Sequence, residues 1–196
     1  MMVPLGSVAS VSTGYPFRKK VEPEQGGDIA LVQIRDIDNA EGGLGTGTTM
    51  LRNDGKKYDR YLLREGDLLF QSRGSRNPVA VVSTDIRGIA SSGLHVIRPT
   101  RARVLPEYLA WWLNHPLSQG KLAKDVARGT YIPFVSKRDL EAFLLPTPAL
   151  DVQAQIVAVD RLQRRERALR LDLDALTQQL VDAVTLAAAT RTNRRS

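Results

Sequence analysis

Apolar residues recur at steps of three and four near the C-terminal end of the chain. The row runs Val159, Leu162, Leu169, Leu173, Leu176, Leu180, Ala183 and Ala187, with Glu166 standing in it once. This heptad seam predicts one long helix over 149–190, roughly 60 Å long at about 1.5 Å per residue. The opposite positions are charged: Arg161, Arg164, Arg165, Arg167, Arg170, Asp172, Asp174 and Asp182. A narrow apolar row backed by mixed charge is the pattern of a two-helix coiled coil. A parallel pair would set Glu166 against its own copy in an apolar seam, which is costly. An antiparallel pair with its two-fold axis near Leu171 avoids this, because Leu169 then meets Leu173, Leu162 meets Leu180 and Val159 meets Ala183. The expectation is a homodimer through Val159, Leu162, Leu169, Leu173, Leu176, Leu180 and Ala183. A long amphipathic helix folded back on its own domain is the alternative.

Upstream the period changes. Val3–Ser12 alternates weakly, as a strand or short helix, and Ile29–Ile37 reads as a strand with Ala30, Val32 and Ile34 on one face and Arg35 near its end. Glu65-Gly66-Asp67 is a turn that opens onto the buried strand Leu68-Leu69-Phe70. Val79–Val82 and Leu94–Ile97 follow as core strands. Pro106–Lys124 turns helical, broken in two at His115-Pro116, with burial expected for Trp111 and Trp112. Ser136 caps a further short helix. Phe143–Pro148 is an extended, proline-stiffened joint into the long helix, with Asp151 as the cap. The class is α+β: a globular domain with a mixed β core and short helices over 1–148, the long coiled-coil-forming helix over 149–190, and a basic disordered tail over 191–196.

Charge narrows the partner. The formal net charge is +7, and residues 1–148 carry 20 Lys and Arg against 15 Asp and Glu, so most of the excess sits on the globular part. A polyanion such as double-stranded DNA fits that balance. Three consecutive cations, Arg18, Lys19 and Lys20, follow a turn-rich segment and either clamp phosphates or form a solvated loop. Arg73 and Arg76 sit on a glycine-containing turn, where arginine can grip a guanine edge through paired hydrogen bonds. Arg128, Thr130 and Tyr131 lie on a basic loop ending in an aromatic residue. Lys137 and Arg138 stand at the start of the Ser136-capped helix, a ready phosphate site.

Other chemistries find little support. With no cysteine, disulfides and thiolate metal sites are excluded. Gly42-Gly43-Leu44-Gly45-Thr46-Gly47-Thr48 lacks the Lys-Ser/Thr pair of a phosphate loop and the third glycine of a dinucleotide fingerprint, so it reads as a hairpin loop. His95 has no second ligand in register and reads as a packed structural histidine. Asp36, Glu65 and Asp67 stand beside turns without paired ligand spacing, which argues against an acid–base or metal site. No run of eighteen apolar residues and no signal-peptide pattern occurs, so cytoplasmic residence is expected.

Several short motifs, taken in order, resemble the specificity subunit of type I restriction-modification enzymes. They are Val3-Pro4-Leu5-Gly6 with Ser12-Thr13-Gly14, Gln33-Ile34-Arg35-Asp36-Ile37, Gly66-Asp67-Leu68-Leu69-Phe70 with Ser72-Arg73-Gly74, and Pro106-Glu107-Tyr108-Leu109. Gly129-Thr130 before Ile132-Pro133 and the joint from Leu145 to Ile156 complete the set. Where that family carries a glutamate before the junction glutamine, this chain has Val152 before Gln153. The resemblance implies a target-recognition domain that reads one DNA half-site, followed by a spacer helix. It implies a non-catalytic role, with S-adenosylmethionine and ATP bound by partner methyltransferase and restriction subunits. Typical members carry two domain-plus-helix units, so this single unit resembles the half-sized subunits that pair as homodimers and read an interrupted palindrome. A stand-alone dimeric DNA-binding regulator with no methyltransferase partner is the alternative.

Overall fold

The computed structural model describes residues 1–18, 21–23, 25–37, 49–53, 57–74, 76–82, 86–126 and 133–192. The glycine-rich stretch 42–48, Lys19, Lys20, Arg128, Thr130, Tyr131 and the tail 193–196 lie outside them. The chain divides into two units, Met1–Val157 and Ala158–Ser196.

In the first unit, strands β1 (Met2–Pro4), β2 (Ala9–Thr13), β3 (Ile29–Val32), β4 (Thr49–Leu51), β5 (Leu68–Gln71), β6 (Val79–Val81), β7 (Gly88–Ala90) and β8 (Leu94–Pro99) precede helices α1 (Pro106–Asn114), α2 (Pro116–Val126) and α3 (Lys137–Ala142). Strand β9 (Leu144–Pro146) then leads into helix α4 (Leu150–Thr192), which runs on into the second unit. An antiparallel sheet has the order β2-β8-β5-β6, and a smaller one the order β4-β3-β7, in which β3 runs parallel to β7. Strand β1 pairs with β9, Met2 opposite Pro146, so the chain's first residues are stitched to the segment that enters α4.

The larger sheet is covered on both faces. Leu68, Phe70, Val79 and Ile97 pack into a cluster with Val11, Tyr108, Leu109, Leu140 and Leu145. Leu69, Ala80 and Val96 point the other way, into a cluster with Val32, Ile37 and Ala90. Burial on both sides is why Leu68-Leu69-Phe70 is a continuous apolar run instead of an alternating one. Strand β3 does the same on the smaller sheet: Val32 joins the second cluster while Ile29 and Leu31 join a third, with Leu51, Tyr58 and Ile89.

The edge strand β6 is closed by two side-chain amides. Asn114 accepts from the Val79 amide at 2.9 Å and donates to the Val79 carbonyl at 2.8 Å. Gln119 does the same to Asn77, at 3.0 Å each way. These amides stand in for a neighbouring strand at Val79 and at Asn77 just before it.

Two expectations need correction. The strand expected over Ile29–Ile37 ends at Val32, and Ile34–Asp36 forms a 3-10 turn carrying Arg35. The cause is a capping box: Asp36 accepts from the Gln33 amide at 2.8 Å, satisfying locally a donor that a strand would pair. Asp151 lies within the first turn of α4, not at its cap, because the helix already starts at Leu150. The break between α1 and α2 falls at His115, as Pro116 requires. Ser136 caps α3 by accepting from the Asp139 amide at 3.1 Å.

In the second unit α4 continues to Thr192, with its leucine row open to solvent: Leu162 is 70% exposed, Leu173 62% and Leu180 64%. Pairs one turn apart brace the charged side, Arg164 to Asp160 at 2.8 Å and Arg170 to Glu166 at 2.6 Å.

Candidate nucleic-acid interface

The turn after β5 carries Arg73, and backbone bonds tie it to the segment ahead of α3. Val135 donates its amide to the Ser72 carbonyl at 2.8 Å, Gly74 donates to the Pro133 carbonyl at 3.0 Å, and Arg73 pairs antiparallel with Phe134. Gly74 has φ +118°, a backbone angle that a side chain rarely tolerates. The Gln71 side chain donates to the Arg73 carbonyl at 2.6 Å, and Asn77 donates to the Gln71 carbonyl at 2.8 Å, so the turn is held from inside. Arg73 projects from it with its Cζ 5.2 Å from the ring centroid of Phe134, within cation–π range.

Beneath this ladder lies His95, 2% exposed. Its Nε2 is 2.9 Å from the Val135 carbonyl, which can only accept, so the proton sits on Nε2 and Nδ1 faces the Thr13 hydroxyl at 3.5 Å. Burial pushes the His95 pKa down and the nearby Lys137 charge adds to that, while the Val135 carbonyl opposes it. The imidazole is a neutral strut, in accord with its reading as a structural histidine.

Three of the candidate cations stand on this ladder or just after it. Arg73 belongs to one side of the ladder, and Lys137 and Arg138 begin the helix that follows the other. The N-terminus of α3 is not an open anion site as expected. Ser136 has taken the Asp139 amide, and its hydroxyl donates to the Asp139 carboxylate at 2.6 Å, placing a negative charge at the helix start. What remains for a phosphate is the exposed side chains of Lys137 and Arg138, the former 3.5 Å from Glu141. Arg76 is exposed on the same turn as Arg73.

Arg18, and Arg35, which is also expected among the DNA-binding residues, belong elsewhere. Arg18 follows Phe17, which packs against the third cluster, and Arg35 donates to Thr49 on β4 at 3.1 Å. Near Arg18 the rings of Tyr15, Phe17, Tyr58 and Tyr61 form an aromatic group, Tyr15 lying 5.0 Å from both Tyr58 and Tyr61 and 4.7 Å from Phe17. Lys57 caps it, 5.1 Å over the Tyr58 ring. Sequence reading missed this group and Phe134. The three-residue spacing of Tyr58 and Tyr61 was its only local signal. The carboxylates weighed against a catalytic reading have structural work: Asp67 is bound to Arg98, and Asp36 caps the Gln33 turn.

This fold, with its two-sided sheet, its N-terminal strand paired beside the exit and its continuous C-terminal helix, is that of the type I restriction modification DNA specificity domain. The chain belongs to that family, which it matches over residues 1–171. Among individual proteins it is similar to the type I restriction enzyme EcoBI specificity subunit of Escherichia coli, 26% identical over 159 residues covering 80% of this chain and 31% of that one. It is also similar to the HsdS subunit from Thermoanaerobacter tengcongensis, 27% identical with a TM-score of 0.63, covering 87% of this chain and 43% of that one. The type I restriction-modification S subunit from M. genitalium shares the fold at a TM-score of 0.54 and 15% identity, over 81% of this chain and 37% of that one. The chain therefore spans less than half the length of each of these relatives.

Proposed function

We propose that this chain reads one half-site of double-stranded DNA and recruits a modification (methyltransferase) subunit and a restriction subunit to it, without catalysing a reaction itself. Membership of the specificity-domain family supports a recognition role. The observation that carries the reading is the ladder of Ser72–Gly74 against Pro133–Val135, which gathers exposed Arg73, Lys137 and Arg138 around one rigid frame. Loop cations held by a fixed backbone are what sequence readout needs, some for phosphates and some for base edges. S-adenosylmethionine and ATP would be bound by the partners. The exposed row on α4, Val159, Leu162, Leu169, Leu173, Leu176, Leu180 and Ala183, would pair two copies antiparallel, and their two-fold symmetry would make the composite target an interrupted palindrome. Cytoplasmic residence goes with that role; no described helix is long and apolar enough to cross a membrane.

Co-purification with a cognate modification subunit, followed by mapping of adenine methylation, tests the proposal. Methylation at an interrupted palindrome that requires both proteins is the expected result. A chain that binds DNA as a dimer but neither retains the modification subunit nor directs methylation is the regulator instead.

A further inference from the structure

Arg73 differs from the arginines that brace the fold in what its nitrogens do, and among the described residues it differs from exposed Arg76 and Arg138 in lying over a ring. Arg35 donates to Thr49, Arg52 to the Gln25 carbonyl, Arg98 to Asp67, Arg101 to the Glu65 carbonyl and Arg103 to the Ser7 carbonyl. Among the described residues the guanidinium of Arg73 meets no hydrogen-bond acceptor and no carboxylate. Yet it is not loose, since it lies on the Phe134 ring. A cation–π contact of this kind uses no N–H donor of the guanidinium as a hydrogen bond, so the donors stay available to a partner.

Phe134 is a large apolar side chain 40% exposed, between buried Val135 and exposed Pro133. Its backbone is fixed by the Arg73 pairing and by the flanking bonds to Ser72 and Gly74. Its ring lies 6.2 Å from His95, which holds the Val135 carbonyl. An exposed ring locked in place under an arginine with idle donors is a support for that arginine.

We infer that Arg73 and Phe134 form one reading unit, in which Phe134 positions the guanidinium edge for two parallel hydrogen bonds to N7 and O6 of a guanine in the major groove. The inference rests on the DNA-reading function proposed above. A phosphate can also take both donors of such a fork, but it is the same at every step of the duplex and carries no sequence information. Among bases, guanine alone shows two adjacent acceptors in the major groove, since adenine offers one acceptor and one donor, so a pre-oriented fork that reads sequence reads guanine. Phe134 is thus a positioning residue, acting on selectivity through Arg73.

Selection of bound duplexes from a pool randomised across the half-site, at fixed salt, tests this with the full chain and its Phe134→Leu, Phe134→Tyr and Arg73→Lys variants. The unaltered chain should enrich guanine at one position of the half-site. Arg73→Lys, which keeps the charge and loses the fork, should abolish that enrichment. Phe134→Leu should lower it about tenfold, and Phe134→Tyr, which restores the ring, should keep it within about twofold. A guanine preference that survives Phe134→Leu, or a base other than guanine lost with Arg73→Lys, overturns the inference while leaving half-site reading intact. An unaltered chain that enriches no sequence overturns both. If Phe134→Leu does not fold, Arg73→Lys still decides, because survival of the guanine preference in that exposed substitution is equally fatal.

Discussion

Asp67 is 1% exposed and is held on both oxygens by Arg98, at 2.7 Å each, and by the Arg64 amide at 2.8 Å. Arg98 keeps partial contact with water, and its pKa is raised chiefly by the hydrogen bond to Asp67. Asp67→Ala should therefore destabilise the first unit by roughly 3 kcal/mol, the low end for breaking a buried pair, read as a lower urea midpoint. His95 makes the companion prediction in pH. Its folded pKa lies below the ordinary value of 6.5 because burial penalises the imidazolium. Above 6.5 neither state is protonated, and this group adds no pH dependence. Between 6.5 and the lower folded value only the unfolded chain takes the proton, so stability falls as pH drops, and below the folded value the loss is complete. Denaturation midpoints should decline from neutral into mildly acidic pH, and His95→Gln should flatten that decline. The role of His95 was legible in the chain, because a lone histidine in a strand pointed to packing. The exposure of Phe134 was not, because an aromatic beside Val135 reads as core until tertiary pairing turns it outward.

Gln153 shows the same at the scale of an element. It is 0% exposed on the second turn of α4, and its amide accepts from the Leu105 amide at 2.9 Å and donates to the Pro148 carbonyl at 2.8 Å and the Arg103 carbonyl at 3.1 Å. One side chain thus secures the helix start, the joint before it and the approach to α1. Gln153→Ala should cost about 2 to 3 kcal/mol, because it strands a buried amide and two carbonyls, measured by thermal or urea unfolding. Periodicity located α4 well because a long seam averages over many residues, and the α1–α2 break was fixed by Pro116 alone. Strand β3 was overestimated because the apolar pattern runs on past Val32 while Gln33 and Asp36 satisfy each other. Pattern reports which side chains are buried, whereas a capping box decides where the backbone turns.

Among the described residues, most of the large apolar side chains of the first unit are buried, whereas those of the second lie open: Leu169, Leu173, Leu176 and Leu180 are all more than half exposed. If the proposed antiparallel pairing covers them, Leu173→Glu introduces a charge twice into one seam and should weaken the dimer by roughly 3 kcal/mol or more, at least about a hundredfold in dissociation constant. Sedimentation of the full chain and the variant across a concentration series reads this directly, and equal masses for both would place the contact on another surface. The chain suggests a second copy of itself and a register centred near Leu171, but a seam records its own spacing and not what lies across it. The pairing of β1 with β9 bears on how the first unit comes into being. Met2 finds its mate at Pro146, a separation that makes this ribbon one of the costliest loops to close. During synthesis β1 has no partner until β9 has been made, so this ribbon closes only after almost all of the unit between the two strands exists.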